Sequence, residues 1–255
     1  MTRRFHIHPL QEGQSEILLQ GAEERHLKNV LRLKPGSSVC LFDGKGNEYE
    51  GRILDMESSG VRVQVKGDRA EAGENTGESP AHITIAQGFL KEKKMDDLLR
   101  PLTELGIRRW QPFIAERSVS RPDSGRLKKR KERWEKIVLE SLKQCRRSRV
   151  PEIGDTLSFQ EMLDAGKDAD LRLIFWEGMS GADSGTVGES YIFGERKKYP
   201  RIFAAIGPEG GFSSAEIREA RKAGFRTAGL GPRILKAKTA ALTACTLLQH
   251  YFGDL

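Results

Sequence analysis

Polar and apolar positions change rhythm once along the 255-residue chain, and the change divides it in two. Residues 1–66 alternate with a period near two, the pattern of half-buried strands. It predicts strands over Phe5–His8, Glu16–Leu19, Ser38–Phe42, Glu48–Leu54 and Val61–Lys66. Asp43-Gly44 and Gly46-Asn47 mark a hairpin turn between the third and fourth. Within Ala22–Arg32, Leu27, Val30 and Leu31 stand at helical spacing, and Pro35-Gly36 breaks the chain beyond them. One short helix among five strands predicts a small β-barrel. Gly67–Pro80 then contains nothing apolar larger than alanine, the composition of a solvated linker. The expected limits are a first domain over 1–70, a linker over 71–80 and a second domain over 81–255.

From Ala81 strands alternate with helices. Apolar runs predict strands at His82–Gln87, Ile107–Ile114, Leu171–Trp176, Arg201–Ile206 and Thr227–Leu230. Met95–Gly106 reads as a helix with Leu98, Leu99, Leu102 and Leu105 on one face, shortened or kinked at Pro101. A long basic helix follows, burying Trp134, Ile137, Val138, Leu142 and Cys145. A last helix, Thr239–Phe252, stops at Gly253, a natural residue after a helix end. Such alternation predicts a parallel sheet with helices on both faces, so the fold class is α/β.

Charge adds one thing. The net charge is +7, and the segment from Arg126 to Arg149 alone carries eleven Lys or Arg against three Glu. Clustering of this kind is the footprint of a polyanionic partner; a solvated helix face is the alternative. No apolar run is long enough to cross a bilayer, and the first residues lack a signal-peptide core. Three separated cysteines suggest neither disulfides nor a zinc site, and a cytoplasmic location is expected. His6 and His8 share a strand face, but with no third ligand nearby they read as a surface pair, so no metal is expected.

The candidate chemistry lies late in the chain. Arg201–Ile206 runs into Gly207-Pro-Glu-Gly-Gly211, then into Ser213-x-x-Glu216, a capping box that starts a helix. Strand, glycine loop and helix start is a layout that offers backbone groups to a ligand at a sheet's carboxyl edge. Neither standard phosphate-loop pattern is present, and Glu209 inside the loop would repel a phosphate. S-adenosylmethionine, which carries a sulfonium and an ammonium, fits better. An ordinary turn in which glycines only make room is the other reading.

Matches in order along the chain carry a resemblance. They are His26–Lys34, Leu41-Phe-Asp-Gly44 with Glu48-Tyr49, Thr103–Ile107, Glu116-Arg-Ser-Val119, Gln144-Cys145 with Arg147, Val150–Ile153, the glycine loop, and Leu230–Ala240. Together they resemble the SPOUT class of RNA methyltransferases, and more narrowly the bacterial 16S rRNA (uridine-N3) methyltransferase family. The resemblance implies an N-terminal PUA-like β-barrel and a C-terminal SPOUT α/β domain with a parallel sheet and a deep trefoil knot. It implies S-adenosylmethionine held by Ile206, Gly207, Pro208, Glu209, Gly210, Gly211, Leu230, Gly231, Ile234, Leu235 and Ala240. It implies a homodimer acting on 16S rRNA or the small ribosomal subunit, with Arg25, His26, Arg32, Arg146, Arg147 and Arg149 on the RNA. The N3 nitrogen must lose its proton as it attacks the methyl, so a positive group would stabilise the developing anion. Arg233 is the candidate for that catalytic role; a structural salt bridge and a phosphate clamp are its alternatives.

The chain departs from the family at Lys236-Ala-Lys238, where Arg-Thr-Glu is usual, and Lys238 then opposes the dipole of the last helix. Other departures fall at Lys91–Met95, Pro101 and Lys143. Two further functions stay open: methylation of another rRNA or tRNA position, and a catalytically silent RNA-binding assembly factor.

Overall fold

The structure is a computed structural model, and it describes residues 3–70, 77–91, 93–178 and 201–255. The chain folds into two compact units. The first comprises 1–78 together with 139–150, and the second 79–138 with 151–255. Of the stretch expected as a linker, 71–76 lie outside the described residues.

In the first unit, strands β1 (Arg3–His6), β2 (Glu16–Leu19), β3 (Ser38–Phe42), β4 (Glu48–Glu57) and β5 (Gly60–Ala70) form one sheet in the order β1-β3-β4-β5-β2. β1 joins β3 in parallel and the other pairs are antiparallel. Inward-facing residues at alternate positions, among them Phe5, Leu41, Ile53, Val61 and Val63, are essentially inaccessible to solvent and make the core. Asp43 organises the expected β3–β4 turn, its carboxylate accepting the Lys45 and Asn47 N–H groups at 2.8 and 3.1 Å. The short helix is less regular than its periodicity predicts. One turn of α1 (Gly21–Arg25) passes into a π-helical turn, His26–Val30, where the Leu31 N–H reaches the His26 carbonyl at 3.0 Å.

The second unit is built on a parallel sheet. Its strands are β6 (His82–Gly88), β7 (Arg109–Ile114), β8 (Glu152–Ile153), β9 (Leu157–Ser158), β10 (Leu171–Phe175), β11 (Arg201–Ile206) and β12 (Arg226–Ala228). Their order is β12-β10-β11-β6-β7-β8, with β9 also on β7, and every pairing is parallel. The helices are α2 (Lys94–Glu104), α3 (Ser124–Cys145), α4 (Phe159–Ala165), α5 (Ser214–Lys222) and α6 (Ala237–Phe252). The last turns of α3 count with the first unit. α2 runs through Pro101 and ends at Glu104, so proline trims the expected helix without breaking it. Side chains of β11 alternate: Phe203 and Ala205 join the cluster of Phe113, Met162, Phe212, Ile217 and Phe225 contributed partly by α4 and α5. On α3, Trp134 packs edge-on against Trp110 at 4.8 Å, and its indole N–H reaches Asp96 of α2 at 2.8 Å. Among the described residues no helix is long and apolar enough to cross a membrane.

Candidate active site

The second sheet positions the site through its connectivity. The chain leaves β6 toward β7 and β8, then returns to build β10, β11 and β12 on the other side. Ligands of open parallel sheets sit at such a reversal, beyond the carboxyl ends of the strands. A cavity of about 990 Å³ lies there. It is walled by Leu90 after β6, Phe175-Trp-Glu177 at the end of β10, Ile206–Glu209 and Gly211 after β11, and Ala228–Lys238 with Ala240 after β12.

The glycine loop has the geometry that its composition requires. The Gly211 N–H closes a turn onto the Pro208 carbonyl at 3.0 Å, and Gly211 takes φ +66°, a region open mainly to glycine. Beneath the loop, buried Gln87 donates to the Gly207 carbonyl at 3.1 Å. Gly88 approaches so closely that a Cβ there would stand 2.6 Å from the Pro208 nitrogen. The capping box that starts α5 is present, with Ser213 Oγ accepting from Glu216 N–H at 3.2 Å and the Glu216 carboxylate accepting from Ser213 N–H at 2.9 Å. Glu216 also accepts the Glu116 N–H at 2.8 Å, tying the loop after β7 to the same helix start.

Ten of the eleven residues expected at the cofactor line this cavity; Gly210 does not. It faces Arg117 instead, whose guanidinium donates to the Gly210 carbonyl at 3.2 Å. Glu209 does not present a bare charge to a ligand, which weakens the expected repulsion of phosphate. Burial opposes its ionisation, but the Lys94 ammonium at 2.9 Å and the Lys91 N–H at 3.1 Å outweigh it and hold its carboxyl below the usual value. Lys238, one of the unusual residues, lies 3.5 Å from Asp97, so a carboxylate offsets its unfavourable place at the start of α6. Arg233 is exposed and lines the cavity, and it has no ion pair or hydrogen bond among the described residues. The salt-bridge alternative for Arg233 thus has no partner there.

All six residues expected on RNA belong to the first unit. Arg25, Arg32 and Arg146 are exposed, while His26 and Arg149 are half-buried, His26 with its ring edge-on to Phe5. Arg32 and Arg146 hold φ values of +49° and +64°, the only non-glycine residues with positive φ among those described. Arg147 is different. It is 2% exposed, with its guanidinium 2.8 Å from Glu78, and as placed it offers no surface to a phosphate. Of the basic run, Lys143 is likewise committed, to Glu23 and Glu140.

Phe175, Trp176, Glu177, Lys94 and Asp97 line the cavity but were not expected from sequence. The first three end a strand that the sequence predicts, but only the pairing of β10 with β11 and β12 brings that end to the glycine loops. The cavity suits S-adenosylmethionine in composition. Apolar walls such as Leu90, Phe175, Ile206 and Leu235 can take a flat heterocycle, and backbone at Gly229 and Gly231 stands free of any heavy atom within 4 Å of a would-be Cβ.

An open parallel sheet with a glycine-walled cavity at its reversal, in one chain with a separate small β unit, has well-defined relatives. Residues 77–249 match the family model described as an RNA methyltransferase domain, and 19–66 that described as an RNA methyltransferase PUA domain. The chain belongs to this RNA methyltransferase family. It is 32% identical over 236 residues to ribosomal RNA small subunit methyltransferase E of Bacillus subtilis, covering 91% of this chain and 89% of that protein. The methyltransferase E structure from Neisseria gonorrhoeae, solved bound to S-adenosyl methionine, superposes with a TM-score of 0.85 at 30% identity over the whole of both chains. A methyltransferase structure from Legionella pneumophila with bound cofactor SAM gives 0.87 at 29%, again over the whole of both.

Proposed function

We propose that this protein transfers a methyl group from S-adenosylmethionine to N3 of a specific uridine in 16S rRNA of the small ribosomal subunit. The observation that carries the reading is the meeting of two separate glycine-proline stretches, 206–211 and 230–235, in one cavity, the second of them bringing in Arg233, which is uncommitted among the described residues. When bound, S-adenosylmethionine supplies an electrophilic methyl on sulfur. Ile206, Gly207, Pro208, Glu209, Gly211, Leu230, Gly231, Ile234, Leu235 and Ala240 hold it, and Gly210 shapes the turn from behind. Arg233 stabilises the negative charge that grows on the uracil as N3 gives up its proton. Arg25, His26, Arg32, Arg146 and Arg149 contact the RNA backbone and set its position; Arg147, held on Glu78, supports that surface from within.

The remaining parts of the reading are a first domain over 1–70, a linker over 71–80, a SPOUT domain over 81–255 whose end threads a trefoil knot, a homodimer, and a cytoplasmic location. Lys238 is met by Asp97, and both glycine stretches still line one cavity, which favours an active enzyme over a silent assembly factor. Mass spectrometry of 16S rRNA from a strain lacking this gene tests the assignment. Loss of N3-methyluridine is expected; its persistence with no second copy of the gene defeats the reading, and loss of a different modified nucleoside moves the target.

A further inference from the structure

Among the described residues three carboxylates line the cavity: Asp97, Glu177 and Glu209. Two are spoken for, Asp97 by Lys238 at 3.5 Å and Glu209 by Lys94 at 2.9 Å. Glu177 has no hydrogen bond or ion pair among the described residues. It is also well placed. Glu177 follows Phe175 and Trp176 at the carboxyl end of β10, and its carboxylate fills the space that a Cβ on Gly211 would need. Among the described residues, the free anion of the cavity therefore rests against the turn of the glycine loop, while the free cations, Arg233 and Lys236, stand on the stretch after β12. A ligand that matches this division carries positive charge at one end, and an uncompensated phosphate chain is repelled by Glu177.

We infer that Glu177 is a cofactor-binding residue that receives the positively charged methionine end of S-adenosylmethionine. This deepens the proposed function and rests on it. The contact is a charge-assisted hydrogen bond or ion contact of the kind worth about tenfold in affinity when one partner is made neutral, at the lower end of the range because Glu177 is exposed.

The test is calorimetric titration of the full chain with S-adenosylmethionine and S-adenosylhomocysteine, the second lacking the sulfonium charge. Glu177→Gln is expected to weaken S-adenosylmethionine about tenfold, and Glu177→Asp, which keeps the charge, to weaken it less. A matching loss for S-adenosylhomocysteine assigns the contact to the ammonium group; a loss confined to S-adenosylmethionine assigns it to the sulfonium. Equal affinity of wild type and Glu177→Gln for S-adenosylmethionine overturns the inference and leaves the proposed function standing. Failure of the wild type itself to bind defeats the proposed function instead. Thermal melts of the variants establish that they are folded, and Glu177→Ala, which also removes the charge, carries the comparison should Glu177→Gln not be.

Discussion

Replacing Gly88 with alanine tests how the cofactor loop is supported. Gly88 ends β6 directly under the loop and has an ordinary strand backbone, so alanine meets no conformational penalty of its own. The new methyl would stand 2.6 Å from the Pro208 nitrogen, 2.7 Å from its Cδ and 3.0 Å from the Gly207 carbonyl carbon. All of these atoms belong to backbone or to a rigid ring, so no rotamer change relieves the clash. Restoring an ordinary contact requires the loop to rise by about 0.8 Å. The Gln87 hydrogen bond to the Gly207 carbonyl, now 3.1 Å, would lengthen with it. Overpacking of this kind costs about 1–3 kcal/mol of stability, and displacement of a bound reactant by about 1 Å costs on the order of 100-fold in rate. The expected outcome is a folded protein of lower melting temperature, weaker S-adenosylmethionine binding and a far larger drop in methyl transfer to rRNA fragments. Gly229→Ala is the control for stability, because nothing lies within 4 Å of the added methyl. Wild-type affinity and turnover in Gly88→Ala would refute the idea that β6 sets the loop's height.

Other consequences are testable in the same preparations. Arg233→Ala should lower single-turnover methyl transfer by about 100-fold while changing S-adenosylmethionine affinity little; an unchanged rate removes Arg233 from the chemistry. Ser213→Ala should cost about 1 kcal/mol in chemical denaturation through loss of the cap on α5, and a denaturation midpoint equal to wild type would show that the Glu216 contacts suffice. Burial, with His8 and Lys143 adding to it and Asp43 opposing, lowers the pKa of His6 below its ordinary 6.5. The unfolded chain then takes up a proton at a pH where folded His6 is still neutral. Stability from this site is complete above 6.5 and is lost as pH falls below it toward the folded value. Melting curves between pH 7.5 and 5.5 should fall more steeply for wild type than for His6→Gln, and parallel slopes would contradict this.

How legible the chain was varied with the kind of order involved. Arg201–Ile206 and Ser38–Phe42 match their predicted limits because turn residues bound each apolar run. α4 escaped notice although Ser158-x-x-Glu161 is the same capping signature as Ser213-x-x-Glu216, and both boxes form. Its apolar face is only two turns long, too short for periodicity to stand out. The π-helical turn at His26–Val30 looks in sequence like plain helix, since a shift of one residue per turn leaves the apolar spacing almost unchanged. At the site, the loops that follow β11 and β12 were readable from their glycines and prolines. Phe175-Trp-Glu177 and the Lys94–Glu209 pair were not, because nothing in a linear sequence says which strand ends become neighbours.

Local chemistry, then, was decided by the sequence alone: alternating apolar positions made strands, glycines made the loop turn, Ser-x-x-Glu started helices, and clustered Lys and Arg made one stretch strongly cationic. Partnership was decided only by tertiary structure. The same kind of side chain ends up buried on a carboxylate at Arg147 and free, among the described residues, at Arg233, and the three cavity carboxylates differ in the same way. Ionisable side chains act through whatever charge stands within a few ångströms, and that distance is set by the order of strands in the sheet, not by neighbours along the chain.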